Sequence, residues 1–439
     1  MLTFCLLLWA GCGGGPALAP TTTAPLSIAA ARAKIQHVVI IFQENRTTDN
    51  LFHGLPGADT ANYGINSRGQ MVPLRPVNMA VPYDLDHSHN GVMFGGGFLT
   101  AYDNGAMNGF DGVRCRGNCE GATSYAYVRP DEVQPYFQMA EEYTFADRMF
   151  QTNAGPSWPA HQYIISGTSS IDGGPLYVAE NPGYANLTAL NCTNPQAGNG
   201  VYLIDIRTGV ETINHPACVD HPTLLDELEA KHLTYKYYVN QIGGLWNGPS
   251  AVRHIRFGPS WPHVSMPNVN IFRDISSGRL PNVSWVMPGG PQSDHASITD
   301  GSGPSWVASV VNAIGDSRYW KNTAIFVTWD DWGGWYDHVR PPRYNAYELG
   351  FRVPLIVISP YAKRSYVSHV QHEFGSILHF TEDVFDLPSL GYTDTRGDDL
   401  SDCFDFHQRP TTFHTIAAPR NAVYFMKLPP SNVPVDDDF

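Results

Sequence analysis

Five short apolar runs punctuate this chain, and each stops abruptly at polar, glycine or proline residues. They are "KIQHVVIIFQEN" (34–45), "TYKYYVN" (234–240), "VSWVMPGG" (283–290), "TAIFVTWDD" (323–331) and "FRVPLIVISPYA" (351–362). Their β-branched and aromatic residues follow one another without the alternation of a half-exposed strand. Such runs predict strands buried on both faces of a parallel sheet. Helical periodicity lies between them: "TLLDELEAKH" (223–232) precedes the second run, and "SWVASVVNAIGDS" (305–317) separates the third from the fourth. No repeat or low-complexity segment breaks the pattern. It predicts one α/β domain over about residues 34–430, with 431–439 as a tail.

Polar and acidic residues gather where the runs end, and in open α/β sheets that carboxyl edge is where ligands bind. The first run ends in "FQENRTTDN", placing Glu44 and Asn45 at its tip, and the fourth ends in Asp330 and Asp331. Two adjacent carboxylates repel, and neither is easily kept from water without a partner. If the two strands are parallel neighbours, three carboxylates and an amide converge on one point. That set suits a divalent cation such as Mg, Ca, Mn or Zn. Taken singly, each acid also reads as a helix cap or an exposed turn residue.

Composition narrows the classes. The 439 residues are 43% hydrophobic and 12% aromatic, which indicates a folded core. Forty-one glycines and 34 prolines predict long, shaped loops around the scaffold. A net charge of −14 and a pI near 5.6 argue against nucleic acid as a partner, because phosphate-backbone binding wants a basic surface.

Residues 1–33 read as an export signal and linker. "MLTFCLLLWAGCGGG" holds an apolar run too short to span a bilayer, without a basic segment before it. "LWAGC" is similar to a bacterial lipoprotein cleavage box, with Trp at the usual Leu position. Cys12 would then carry the lipid, and Gly13–Pro25 would form a tether. An ordinary cleaved secretory signal is the alternative. Either predicts an exported protein: a cell-surface or periplasmic lipoprotein, or a secreted enzyme. Export leaves Cys115, Cys119, Cys192, Cys218 and Cys403, an odd number that requires a free thiol. Cys115 and Cys119 flank a short turn, and Cys192 and Cys218 share one loop-rich insertion, so these are the expected disulfides. A zinc knuckle at "CRGNC" lacks a second Cys or His pair nearby. Formal glycosylation sequons at Asn45, Asn186, Asn191 and Asn282 are set aside in a bacterial setting.

A candidate nucleophile, Ser157, lies in "NAGPSWPAHQYIISGTSS" (153–170), between Gly155-Pro156 and Trp158-Pro159 in what reads as a stiff loop. No Gly-x-Ser-x-Gly elbow is present, which argues against an α/β-hydrolase. A serine without a histidine base can still attack when a metal lowers its pKa.

Together "ENRTTDN", "GPSWPAHQY…SGTSS", "SDHAS", "VTWDDWGGWYDHVRPP" and "RVPLIVISPYA" resemble the signature blocks of the bacterial phosphoesterase family. That family includes phosphatidylcholine-hydrolysing phospholipases C and related acid phosphatases. The blocks occur in order from residue 37 to about residue 406. The resemblance implies an alkaline-phosphatase-like, three-layer α/β/α sandwich with a central, mainly parallel sheet. It implies Glu44 and Asn45 as the first metal ligands, Asp330 and Asp331 as the second pair, and Ser157 as the metal-held residue that becomes phosphorylated. His295, in "SDHAS", matches a histidine that contacts the phosphoryl group or leaving oxygen; His87, in "YDLDHSHN", and His338 match further site histidines. "TTDNLFHG" and "PSWPA" depart from the family's "SFDHYFG" and "PTxPN", which bears on substrate preference. The implied activity is metal-dependent hydrolysis of a phosphate ester or phospholipid through a phosphoserine. A catalytically silent surface lipoprotein that binds lipid or glycan is the competing expectation, and the intact ligand set argues against it.

Overall fold

All five apolar runs form strands of one sheet, joined by three shorter segments. In chain order these are β1 (His37–Gln43), β2 (Thr144–Ala146), β3 (Tyr235–Tyr238), β4 (Val264–Ser265), β5 (Val283–Val286), β6 (Thr323–Trp329), β7 (Leu355–Ile358) and β8 (Tyr366–Ser368). The computed structural model describes residues 28–91, 95–182, 191–193 and 200–429. The export signal with Cys12, Asn186 and the expected tail lie outside the described residues. The strand order is β4-β3-β5-β1-β6-β7-β2-β8. Every strand runs in one direction except β7, which is antiparallel to both β6 and β2. The sheet is mainly parallel, as expected from the sequence, and its one reversed strand, β7, has a simple cause. No helix lies between Trp329 and Leu355, so the chain stays at the edge where β6 ends and must turn back.

Helices cover both faces; the first two of more than one turn among the described residues are α1 (Ile28–Lys34) and α2 (Gly97–Tyr102). Ile40 aligns with Trp285 and Phe326 across β1, β5 and β6. On this face Phe42 meets the rings of His161 in α4 (Ser157–Ser166) and Phe374 in α8 (Phe374–Phe385), at 5.0 and 5.2 Å. Trp285 Nε1 donates to the Ile164 carbonyl of α4. On the opposite face Trp329, paired with Gln43, packs edge-on against Tyr136 of α3 (Gln134–Glu142), ring centroids 5.0 Å apart. That helix packs in turn on α7 (Gly303–Gly315), and α7 on α6 (Asn270–Ser276). The three-layer α/β/α expectation therefore holds. The predicted helix at 223–232 is α5 (Leu224–Ala230), started by a capping box in which Thr223 and Asp226 satisfy each other's backbone N–H.

Both expected disulfides form, Cys115–Cys119 and Cys192–Cys218, and Cys403 is a buried free thiol. Asn191, beside the second bridge, is buried; it accepts from Trp158 Nε1 at 2.8 Å and donates to Ser250 Oγ at 2.6 Å. The bridge thus supports the residue next to Ser157. Because it closes a separation of 26 residues, replacing both Cys192 and Cys218 by alanine is expected to cost about 3 kcal/mol by loss of chain constraint. Denaturant unfolding of the double variant measures this.

Candidate active site

Parallel pairing of β1 with β6 brings Gln43 beside Trp329, so Glu44 and Asp330 leave the sheet together. Asn45 then takes a left-handed φ of 56°, which asparagine tolerates better than most residues. This turn lets the Asn45 backbone N–H donate to Asp330 Oδ1 at 2.8 Å, where the Asp331 N–H also donates at 2.8 Å. Oδ1 is thereby fixed, while Asp330 Oδ2 stays buried with no hydrogen-bond partner among the described residues; Asn45 Oδ1 is in the same position. Asn45 Nδ2 lies 3.2 and 3.3 Å from the two Asp331 oxygens and 3.0 Å from His87 Nε2. Gly333 N donates to Asp331 Oδ1 at 2.7 Å. Gly333 has φ +58°, and a Cβ there would lie 2.3 Å from the Asn45 carbonyl, so glycine is required at this close approach.

Ser157 is not in a loop. It is the first residue of α4, whose N-cap is Pro156 and whose Pro159 is tolerated because first-turn N–H groups have no helical partner. Its Oγ lies 3.2 Å from Asp331 Oδ2 and 3.5 Å from Glu44 Oε2. One turn later, on the same face, His161 places Nε2 3.1 Å from Glu44 Oε1. Sequence reasoning passed over His161; the four-residue spacing from Ser157 would have flagged it had the segment been read as a helix.

Glu44, Asn45, Ser157, His161, Asp330 and Asp331 are all buried. Burial raises the Asp330 carboxyl above the ordinary range. Three acids, an orphaned carboxylate oxygen and an orphaned amide oxygen packed together fit a divalent cation. Ligand atoms of Glu44, His161 and Asp330 all lie within 4.8 Å of one another.

His87 and His295 stand close by, their ring centroids 6.0 Å apart. Nδ1 of His87 faces the Leu85 carbonyl at 2.6 Å, and Nδ1 of His295 faces the Ala296 carbonyl. A carbonyl can only accept, so Nδ1 keeps its hydrogen in both rings and proton traffic runs through Nε2. His338 is placed differently. It bonds Asp49 through Nδ1 at 2.7 Å and Asp59 through Nε2 at 3.0 Å, in a network where Arg352 pairs with Asp337 at 2.9 Å. Burial alone would lower its pKa, but the bond to Asp49 and the surrounding acids outweigh it and raise it. With both nitrogens engaged, His338 ties the segment after β1 to the segment after β6.

Asp294, beside His295, accepts from Tyr136 Oη at 2.7 Å and Trp329 Nε1 at 2.9 Å. Burial raises its carboxyl from 3.8 to about 6. The folded protein therefore holds this proton to higher pH than the unfolded chain, and the carboxyl's contribution to stability falls as pH rises between those values. Asp294→Asn is expected to shrink that fall by up to about 3 kcal/mol. Unfolding midpoints at pH 4 and pH 6.5 check the sign.

The profile of the Phosphoesterase family matches residues 35–388, and the chain belongs to that family. It is 27% identical over 431 residues to a non-hemolytic phospholipase C of Burkholderia pseudomallei, covering 87% of this chain and 60% of that protein. It is 23% identical over 445 residues to phospholipase C B of Mycobacterium tuberculosis, covering 86% and 78%. The chain thus spans 60% of the length of the Burkholderia relative. Among solved structures, a protein in the alkaline phosphatase superfamily from Vibrio parahaemolyticus superposes with a TM-score of 0.38 and 11% identity, covering 82% of this chain and 70% of that one.

Proposed function

We propose that residues 34–430 form a metal-dependent phosphoesterase that cleaves a phosphate ester through Ser157, with a phospholipid or a phosphomonoester as substrate. The observation that carries this is the meeting of Ser157 Oγ with Glu44 and Asp331 beside the unpartnered Asp330 Oδ2. Glu44, Asn45, Asp330, Asp331 and Ser157 would hold the cation. A divalent ion there supplies positive charge to offset the phosphoryl oxygens and lowers the pKa of the serine hydroxyl. Ser157 passes its proton to Asp331 and forms the Oγ–P bond as the bond to the alcohol breaks on the opposite side. His295, through Nε2, protonates the departing oxygen, and His87 supports Asn45. Water then attacks phosphorus, His295 takes its proton, and the released Ser157 recovers a proton from Asp331. The side chains that would hold the cation are buried in this structure.

Assays with p-nitrophenyl phosphate, a phosphorylcholine ester and phospholipid vesicles, each with and without chelator, test the reading. Hydrolysis that survives complete metal removal would sink it. Export belongs to the same proposal, supported by two disulfides, which persist in oxidising compartments. No helix among the described residues is long and apolar enough to cross a membrane. The proposed attachment is the Cys12 lipid: Cys12→Ser is expected to move the protein from the detergent phase to the aqueous phase on partitioning.

A further inference from the structure

Helix α4 carries two groups to the strand ends, and so far only Ser157 has a role. His161 is fully buried, and Nδ1 lies 3.2 Å from the Tyr237 hydroxyl on β3. That hydroxyl donates its only proton to the Trp246 carbonyl at 2.7 Å. Toward His161 it can therefore offer only a lone pair, so Nδ1 must carry the hydrogen and Nε2 the lone pair. Nε2 faces Glu44 Oε1 at 3.1 Å and Asp330 Oδ2 at 4.0 Å. Three acceptor atoms in a dry site repel unless a proton or a cation lies among them. The ligand atoms of Glu44, His161 and Asp330 all lie within 4.8 Å of one another, close enough for one cation to reach all three. Two donors each about 2.1 Å from a shared centre sit roughly 3.0–3.4 Å apart at octahedral to tetrahedral angles, and the His161–Glu44 spacing falls in that interval. The edge of Phe42, ring centroids 5.0 Å away, holds the imidazole in place.

Resting on the metal-dependent reading above, we propose that His161 is a direct ligand of the cation through Nε2, with Tyr237 as the positioning residue that sets its tautomer. Calcium and magnesium take oxygen ligands, whereas an imidazole nitrogen among carboxylates suits a zinc-type borderline ion. The site therefore selects zinc over calcium and magnesium.

The test compares purified wild type with His161→Gln, Tyr237→Phe and His87→Gln. Zinc and magnesium affinities are measured by competition with a chromophoric chelator, and zinc coordination by X-ray absorption. Wild type should prefer zinc and show imidazole scattering that His161→Gln lacks and His87→Gln retains. Zinc affinity should fall about 100-fold in His161→Gln with little change for magnesium, and about 10-fold in Tyr237→Phe, which keeps the imidazole signal. Should His161→Gln fail to fold, the wild-type spectrum and Tyr237→Phe still decide. All-oxygen coordination of wild-type zinc, or His161→Gln with unchanged zinc affinity, overturns the His161 assignment and leaves metal dependence standing. A protein that binds no divalent cation overturns both.

Discussion

Ser157→Ala is expected to lower turnover by about 10⁴-fold or more while KM changes little, since the oxygen is needed for bond formation and not for ground-state binding. The bound cation should stay, because Glu44, Asn45, Asp330 and Asp331 are untouched by the change. Metal content separates loss of the nucleophile from collapse of the site. Ser157→Thr keeps a hydroxyl at the start of α4 and should retain part of the activity. Rapid acid quench with labelled phosphate ester should trap the label on the peptide containing "GPSWPAHQY". Normal turnover in Ser157→Ala with no trapped label would show that a water molecule attacks phosphorus directly, and label on another peptide would show that a different side chain is the nucleophile; either result overturns the assignment.

How far the chain reveals this arrangement depends on the range of the interaction concerned. Strands β1, β5 and β6 are legible because their apolar character is continuous and local. The convergence of Glu44 with Asp330 followed from two strand ends and one assumption, parallel adjacency, which the register of β1 on β6 supplies. The reversed direction of β7 was not legible, because it depends on the absence of a helix across residues 330–354, a stretch whose glycines and prolines hide its path. Helix α4 was misread for the opposite reason. Prolines on both sides of Ser157 signal a loop, yet both stand at the helix start, where proline is tolerated. That misreading concealed His161. His338 illustrates a further limit: its acidic partners Asp49 and Asp59 lie 289 and 279 residues away in sequence, and only the fold brings them to both of its nitrogens.

The carboxylates impose a cost that the second large effect should expose. Asp330→Asn is expected to abolish cation binding and activity and yet to stabilise the metal-free protein. The introduced asparagine can keep its carbonyl oxygen in the place of Oδ1, where two backbone N–H groups already donate. Its amide nitrogen would replace the orphaned Oδ2, with the Glu44 carboxylate and His161 Nε2 as nearby acceptors. One buried charge disappears and a donor takes its place, a change worth about 1–3 kcal/mol in favour of folding. Wild type should show the reverse dependence, gaining about 2.7 kcal/mol when the cation is present at about a hundred times its Kd. Calorimetry of both proteins, with chelator and with metal, gives four melting temperatures. Without metal Asp330→Asn should melt above wild type; with metal the order should invert. If Asp330→Asn melts lower under both conditions, Asp330 holds the strand ends together on its own, and the orphaned oxygen is not a site kept open for a cation.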